Sequence, residues 1–267
     1  MSDQPTSRQL KIFEMLGYHK SLAVETLAQR FGVTNQTIRR DLQRLCDYGL
    51  ARRRHGGVEQ LVLTRNQAYT SRQILNSTAK AAIAAEVARR IPDGASLAFS
   101  IGTTPELVAQ YLTGHQNLNI ITNNLNVAMA LAASPTAIIT VAGGRMRNDD
   151  RDILGTAAES LFAAYKVDFG IFGVAGVDAD GTLLDFDEAE VAIRQTILAN
   201  CRTSFLVLDY SKFGRVAHVR GGSVTHVSKI FCDQQPPEGI LALLEGSATE
   251  TVLCPLPGRR GDAEEGQ

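Results

Sequence analysis

The chain has 267 residues, of which 44% are hydrophobic and 21% charged, with a net charge of −1 and four cysteines. That length is enough to bury a core in one large domain or two smaller ones. No apolar run approaches the roughly twenty residues that span a bilayer, and residues 1–10 lack the basic-then-apolar order of a signal peptide, so a soluble cytoplasmic protein is expected.

The net charge hides an asymmetry. Residues 1–57 carry ten Lys or Arg against five Asp or Glu, leaving the remainder acidic. A small basic module joined to a larger acidic one points to a polyanionic partner for the first part alone. Cys46, Cys201, Cys232 and Cys254 form no CxxC or Cys/His cluster, which favours reduced thiols over a metal site.

In chain order, Leu10, Ile12, Phe13 and Leu16 make the apolar side of a first helix ending near Gly17. Leu22 to Phe31 reads as a second helix with Val24, Leu27, Ala28 and Phe31 inward, and Gly32-Val33 turns the chain into a third, over 34–45. There Ile38, Leu42 and Leu45 recur at i, i+4 and i+7 and share one face. The opposite face holds Gln36, Arg40 and Gln43, flanked by Arg39 and Arg44, with Asn35 and Thr37 at its start. Amides pair with adenine edges and guanidinium groups with guanine or phosphate, so this is a candidate DNA-reading face. Asp41, near the apolar border, is expected to pair with an arginine. Thr34 is placed to cap the helix and Gly49 to stop it. Leu50 to Val58 then reads as a strand, a basic tip and a return strand, with Arg52, Arg53, Arg54 and His55 as candidate wing contacts to phosphate or minor groove. The competing reading is a three-helix protein-binding domain with a solvated charged face.

Residues 61–78 lack a sustained apolar period and read as a linker with room for some helix. From Ala79 helices alternate with short apolar runs, which implies an α/β domain with a largely parallel sheet. The expected strands Ala95–Phe99, Asn119–Ile121, Ala137–Ala142, Asp168–Phe172 and Ser204–Leu208 end in turns rich in hydroxyl, amide, glycine or cation. The candidate ligand residues on these turns are Ser100, Gly102, Thr103 and Thr104; Thr122, Asn123 and Asn124; Gly143 and Gly144; Gly173 and Gly176; and Lys212. Ligands of open parallel sheets bind beyond the carboxyl ends of the strands, so the set fits a polyhydroxylated anion, with Lys212 as the phosphate cation. Thr103 or Thr104 is expected to cap the helix that Pro105 begins. Asp187 and Glu188 open a helix running to about Asn200, where they either oppose its dipole or touch ligand. A helix over Gly239–Glu245 and a last strand over Thr251–Leu253 follow, and residues 255–267 read as a disordered tail.

The run Thr37-Ile38-Arg39-Arg40-Asp41-Leu42, followed by Arg54-His55-Gly56-Gly57, resembles the signature of the DeoR family of bacterial transcriptional regulators. The likeness extends to Gly102-Thr103-Thr104-Pro105-Glu106, Thr122 to Ala128, Asp180 to Asp187 and Ser211-Lys212-Phe213-Gly214-Arg215. It implies a winged helix-turn-helix domain over 1–60 and a larger α/β sugar-phosphate sensor and oligomerisation domain over 79–254. The sensor is expected to resemble ribose-5-phosphate isomerase. The implied function is a homodimeric or homotetrameric repressor of glycerol or related carbon-metabolism genes. A phosphorylated polyol or sugar, above all glycerol 3-phosphate, would release it from operator DNA. One departure is Ser100, neutral and shorter than the Asp many members carry before this turn. The rival reading is a sugar-phosphate isomerase or deaminase with an appended DNA-binding module. No acid/base constellation, P-loop, GxGxxG or HExxH is assignable, so no catalytic residue, metal or cofactor is expected.

Overall fold

The computed structural model describes residues 6–19, 21–48, 50–60, 69–254 and 256. The chain divides into two compact units, Met1–Leu75 and Asn76–Gln267.

In the first unit α1 (Ser7–Tyr18) opens with a capping box: the Thr6 hydroxyl accepts from the Gln9 amide, and the Gln9 side chain accepts from the Thr6 amide. Next come β1 (Ser21–Ala23), α2 (Val24–Phe31), α3 (Asn35–Asp47), β2 (Ala51–Arg54), β3 (Gly57–Gln60) and α4 (Tyr69–Ile74). The strands form an antiparallel sheet in the order β1-β3-β2. Ile12, Leu16, Leu27, Ile38, Leu45 and Val58 are fully buried in one core, which Leu75 joins from the end of α4. This is a winged helix-turn-helix.

The second helix starts at Val24, two residues later than expected, because Leu22 lies in β1 opposite Val58. Its apolar side chain is satisfied across a sheet rather than along a helix. A Cβ on Gly57 would come within 2.1 Å of the Leu22 carbonyl oxygen, so only glycine lets these strands pair so closely. The expected stop at Gly49 lies outside the described residues; α3 is capped at Tyr48, whose N–H bonds the Arg44 carbonyl.

The second unit begins with α5 (Ser77–Ala88), β4 (Ser96–Phe99), α6 (Thr103–Tyr111), β5 (Asn119–Thr122), α7 (Leu125–Leu131) and β6 (Ile138–Val141). The hairpin β7 (Met146–Arg147) and β8 (Asp152–Ile153) leads through α8 (Thr156–Ala163) to β9 (Val167–Phe172), β10 (Gly176–Val177) and β11 (Thr182–Asp185). Then follow α9 (Glu188–Asn200), β12 (Cys201–Val207), β13 (Val219–Ser223), β14 (Lys229–Cys232), α10 (Glu238–Leu244) and β15 (Glu250–Leu253). Seven of these strands form a wholly parallel sheet, β15-β14-β12-β9-β4-β5-β6. Period-two alternation divides their side chains between two helical layers. Leu97 and Phe99 of β4 pack with Ile83 and Val87 of α5, Val108 of α6 and Leu112 just after it. Ala98, between them, packs on the other side with Phe162, Ile193 and Ile197 of α8 and α9.

The five expected strands are present as β4, β5, β6, β9 and β12. The β7–β8 hairpin, α8, β14 and the small antiparallel sheet β10-β11-β13 were not anticipated. Of the expected linker, residues 61–68 are outside the described set, while 69–78 contain α4 and the start of α5. The tail reading falls on residues outside those described, Leu256 excepted. Among the described residues no helix is long and apolar enough to cross a membrane. The four cysteines are free, three of them buried.

Candidate functional site

On α3 the amphipathic split is complete. Ile38, Leu42 and Leu45 are buried, while Asn35, Gln36, Arg39, Arg40, Gln43 and Arg44 are exposed and Thr37 is half-buried. The Thr34 hydroxyl caps the helix by accepting from the Thr37 amide at 3.2 Å. Asp41 is turned inward, accepting from Arg8 Nε at 2.6 Å and Gln9 Nε2 at 2.9 Å, which ties α1 to α3 and removes an acid from the exposed face. Gln43 is held by Asp47 at 2.7 Å, one turn on, so Arg39, Arg40 and Arg44 are the helix cations that pair with no described residue.

The wing arginines differ. Arg52 is paired with Glu59 across the hairpin, and Arg54 donates to the Ser21 hydroxyl at 3.0 Å. Arg53 projects from the opposite side of β2 without an ion pair among the described residues, and His55 is exposed at the tip.

In the second unit the parallel sheet gathers the candidate turns at its carboxyl edge. Gly102, at φ +124°, leads into α6, where a side chain would be strained and where it has none with which to cap the helix. The expected caps Thr103 and Thr104 instead lie in the first turn, both buried. Glu106 already supplies a negative charge to that turn, its carboxylate accepting from Gln110. Gly173 sits beside Pro105 of the same turn, and Ser100 is buried with its amide donating to the Ile171 carbonyl.

Three candidates turn out to carry structure. The fully buried Thr122 hydroxyl donates to the Phe99 carbonyl at 3.0 Å and accepts from the Asn124 amide, joining β5 to β4. Asn124 Oδ1 caps α7, and Asn123 Nδ2 donates to the Ile153 carbonyl. What remains for a ligand is Asn123 Oδ1 and Asn124 Nδ2, both buried and without a hydrogen-bond partner among the described residues. A Cβ on Gly176 would strike the Arg215 carbonyl and one on Gly144 would strike Ile153, so close packing explains both glycines; Gly143 is exposed and open.

The charges are organised around Arg147, which no sequence motif marked. Its guanidinium binds Asp152 at 2.6 Å, Glu190 at 2.9 Å and Asp187 at 3.4 Å. Burial would discharge it, yet Asp152 and Glu190 hold its pKa above the ordinary arginine value. Burial, reinforced by the charge of Asp185 and opposed by Arg147, pushes the Glu190 carboxyl up to about 7. Asp187 also caps α9 through the Ala189 amide, which explains it without ligand, and Glu188 is exposed. Asp185 is buried against Arg194 at 2.5 Å; burial raises its pKa, opposed by Arg194 and by Lys212. Lys212, half-buried at the end of the 3-10 turn Tyr210–Lys212, thus lies within electrostatic reach of this cluster.

Residues 8–62 match the family model described as a DeoR-like helix-turn-helix domain, and residues 75–234 match that of the DeoR C terminal sensor domain. The chain belongs to the DeoR family.

Its DeoR relatives are aligned over nearly their whole length. The glycerol-3-phosphate regulon repressor of Escherichia coli strain K12 is 40% identical over 249 residues, covering 93% of this chain and 99% of that protein. That of Haemophilus influenzae is 43% identical over 245 residues, covering 92% and 94%. Both are named as repressors, not enzymes. Ribose 5-phosphate isomerase from Plasmodium falciparum is a structural neighbour at TM-score 0.38 and 11% identity, covering 52% of this chain and 53% of that one.

Within this DeoR chain, sequence reasoning missed Arg147, Asp152 and Arg194. The run Arg147 to Asp152 carries no motif, and Arg194 stands as a single cation within α9. Only the ion pairs they make with residues of other elements distinguish them, Arg194 and Asp152 being buried and Arg147 half-buried.

Proposed function

We propose that this protein is a cytoplasmic transcriptional repressor that binds operator DNA through α3 and the wing and leaves it when a phosphorylated polyol or sugar enters the sensor unit. Glycerol 3-phosphate is the first candidate. The observation that carries this reading is the alignment of both units, over 99% of its length, with a repressor named for the glycerol 3-phosphate regulon. Its physical support is an α3 face that exposes cations and amides while turning Asp41 inward, and a sheet edge where hydroxyls, two orphaned buried amide groups and Lys212 gather. Phosphate is assigned to Lys212 and the α6 first turn, polyol hydroxyls to Asn123 Oδ1 and Asn124 Nδ2. The working form is proposed to be a homodimer or homotetramer, because paired copies match paired half-sites and raise effective concentration.

Arg40→Ala is expected to weaken operator binding by about 1–3 kcal/mol and to relax sequence preference. Arg53→Ala should instead weaken binding to all duplexes alike and lower the slope of log affinity against log salt by about one. Fluorescence anisotropy on operator and scrambled DNA at several salt concentrations separates the two. Undiminished operator specificity in folded Arg40→Ala would show that another face reads the bases. The effector assignment is tested by titrating the wild-type operator complex with glycerol 3-phosphate and related phosphates.

A further inference from the structure

The first residue of the sensor unit is built unlike its neighbours. Asn76 follows Leu75, the last residue of the DNA-binding unit, and occupies the left-handed region at φ 53°, ψ 33°. Asparagine is among the few non-glycine residues that tolerate this conformation. It stands at the N-cap of α5 but does not cap it with its side chain. The amide Nδ2 is used elsewhere, donating to Asp209 Oδ1 at 2.7 Å and to the Ser211 hydroxyl at 3.0 Å.

Asp209 is buried, and its carboxylate organises the turn that carries Lys212. Asp209 Oδ1 accepts from the Ser211 amide at 3.2 Å and from the Ser211 hydroxyl, while the Asp209 carbonyl accepts from the Lys212 amide at 3.0 Å. One carboxylate oxygen therefore holds both the start of the sensor unit and the turn bearing the cation assigned to phosphate. On the other side of the boundary, Leu75 is buried in the winged-helix core and the Ser71 hydroxyl donates at 2.8 Å to the carbonyl of Tyr48, the C-cap of α3. Recognition helix, α4, Asn76, Asp209 and Lys212 thus form an unbroken series, each link a hydrogen bond within one unit or a stretch of continuous backbone.

From this geometry we infer that Asn76 is the positioning residue that couples effector binding to operator release, by tying the unit boundary to the Asp209–Lys212 turn. The inference rests on the effector site proposed above. A ligand that engages Lys212 displaces the turn; the bonds to Asp209 and Ser211 pass the displacement to the backbone at residue 76, and so to α4 and α3. The residue type follows from the role. Glycine would keep the left-handed backbone but lose the amide, and aspartate would set a carboxylate against Asp209.

Coupling is reciprocal, and this supplies a readout that a merely structural role would not move. For wild type and Asn76→Gly, operator affinity is measured with and without saturating glycerol 3-phosphate, and glycerol 3-phosphate affinity by calorimetry with and without operator. In the wild type the two ratios should be equal and in the range of about 5 to 150. In Asn76→Gly both should fall to about 1–2, while operator affinity without ligand and ligand affinity without operator stay within about twofold of wild type. Asn76→Asp should uncouple in the same way. Ratios in Asn76→Gly equal to those of the wild type overturn the inference. So does loss of ligand binding by the free variant, which would place Asn76 in the site itself. A wild type indifferent to glycerol 3-phosphate in both measurements removes the effector reading and the inference with it, a result separable from the first two by the wild-type arm alone.

Discussion

Arg194→Met is expected to lower the thermal midpoint of the sensor unit by about 6–20 °C, the largest stability effect of any single change considered. Arg194 is 1% exposed and its Nη2 lies 2.5 Å from Asp185 Oδ2; it also donates to the Gly221 carbonyl of β13. Methionine fills much of the same volume but leaves the buried Asp185 without its principal counter-charge. Breaking a buried pair from one side costs about 3–5 kcal/mol, and each kcal/mol moves the midpoint of a unit this size by about 2–4 °C. Removing both partners, as Asp185→Leu with Arg194→Met, should recover most of the loss, since apolar replacement of a whole buried pair is often neutral. The Ala175 amide that Asp185 accepts from would remain bonded to the Leu184 carbonyl. Differential scanning calorimetry of the three variants checks this. A midpoint within about 2 °C of wild type in Arg194→Met would mean that water or a neighbouring group relaxes into the site.

Lys212→Ala is expected to bind operator normally but to need roughly ten- to a hundredfold more glycerol 3-phosphate for release. A charged hydrogen bond of this kind is worth about 1.5–3 kcal/mol, and a ligand moves an equilibrium only through its differential affinity for the two states. Lys212 is half-buried at the end of its turn, and its backbone amide, not its side chain, bonds the Asp209 carbonyl. Truncation of the side chain keeps that backbone bond. Thr103→Val tests the same phosphate position from the α6 side while keeping the side-chain shape of a buried residue. Inducer titration of the preformed operator complex, with circular dichroism to confirm folding, gives the result. Wild-type sensitivity in both variants would refute the phosphate assignment; failure to bind operator before ligand is added would assign these residues to structure.

The features that the sequence made legible are those governed by local rules. The three apolar positions of α3 at helical spacing, its threonine cap and the basic residues opposite could be read directly, since a 3.6-residue period dictates which side chains share a face. The alternation of apolar runs with helices was equally sufficient for a parallel sheet, whose carboxyl edge gathers the turns after β4, β5, β6, β9 and β12.

Other features were decided by contacts between residues far apart in the chain. Leu22 fits a helical period, yet its place opposite Val58 and the absence of a side chain on Gly57 make it a strand. Thr122 and Asn124 have the chemistry of ligand groups, but the neighbouring strand and helix claim most of it. Arg147 and Arg194 resemble solvated cations in any sequence window; pairing with the buried Asp152, Glu190 and Asp185 makes them the centre of the charge cluster. Asn76 lay within what read as a linker, and its bonds to Asp209 and Ser211 span more than 130 residues of sequence. A sequence window records what each side chain is able to do, and local periodicity fixes the face on which it lies. Whether its polar atoms are left for a ligand or spent on the fold is set by desolvation and by partners that only the tertiary structure brings within hydrogen-bonding distance.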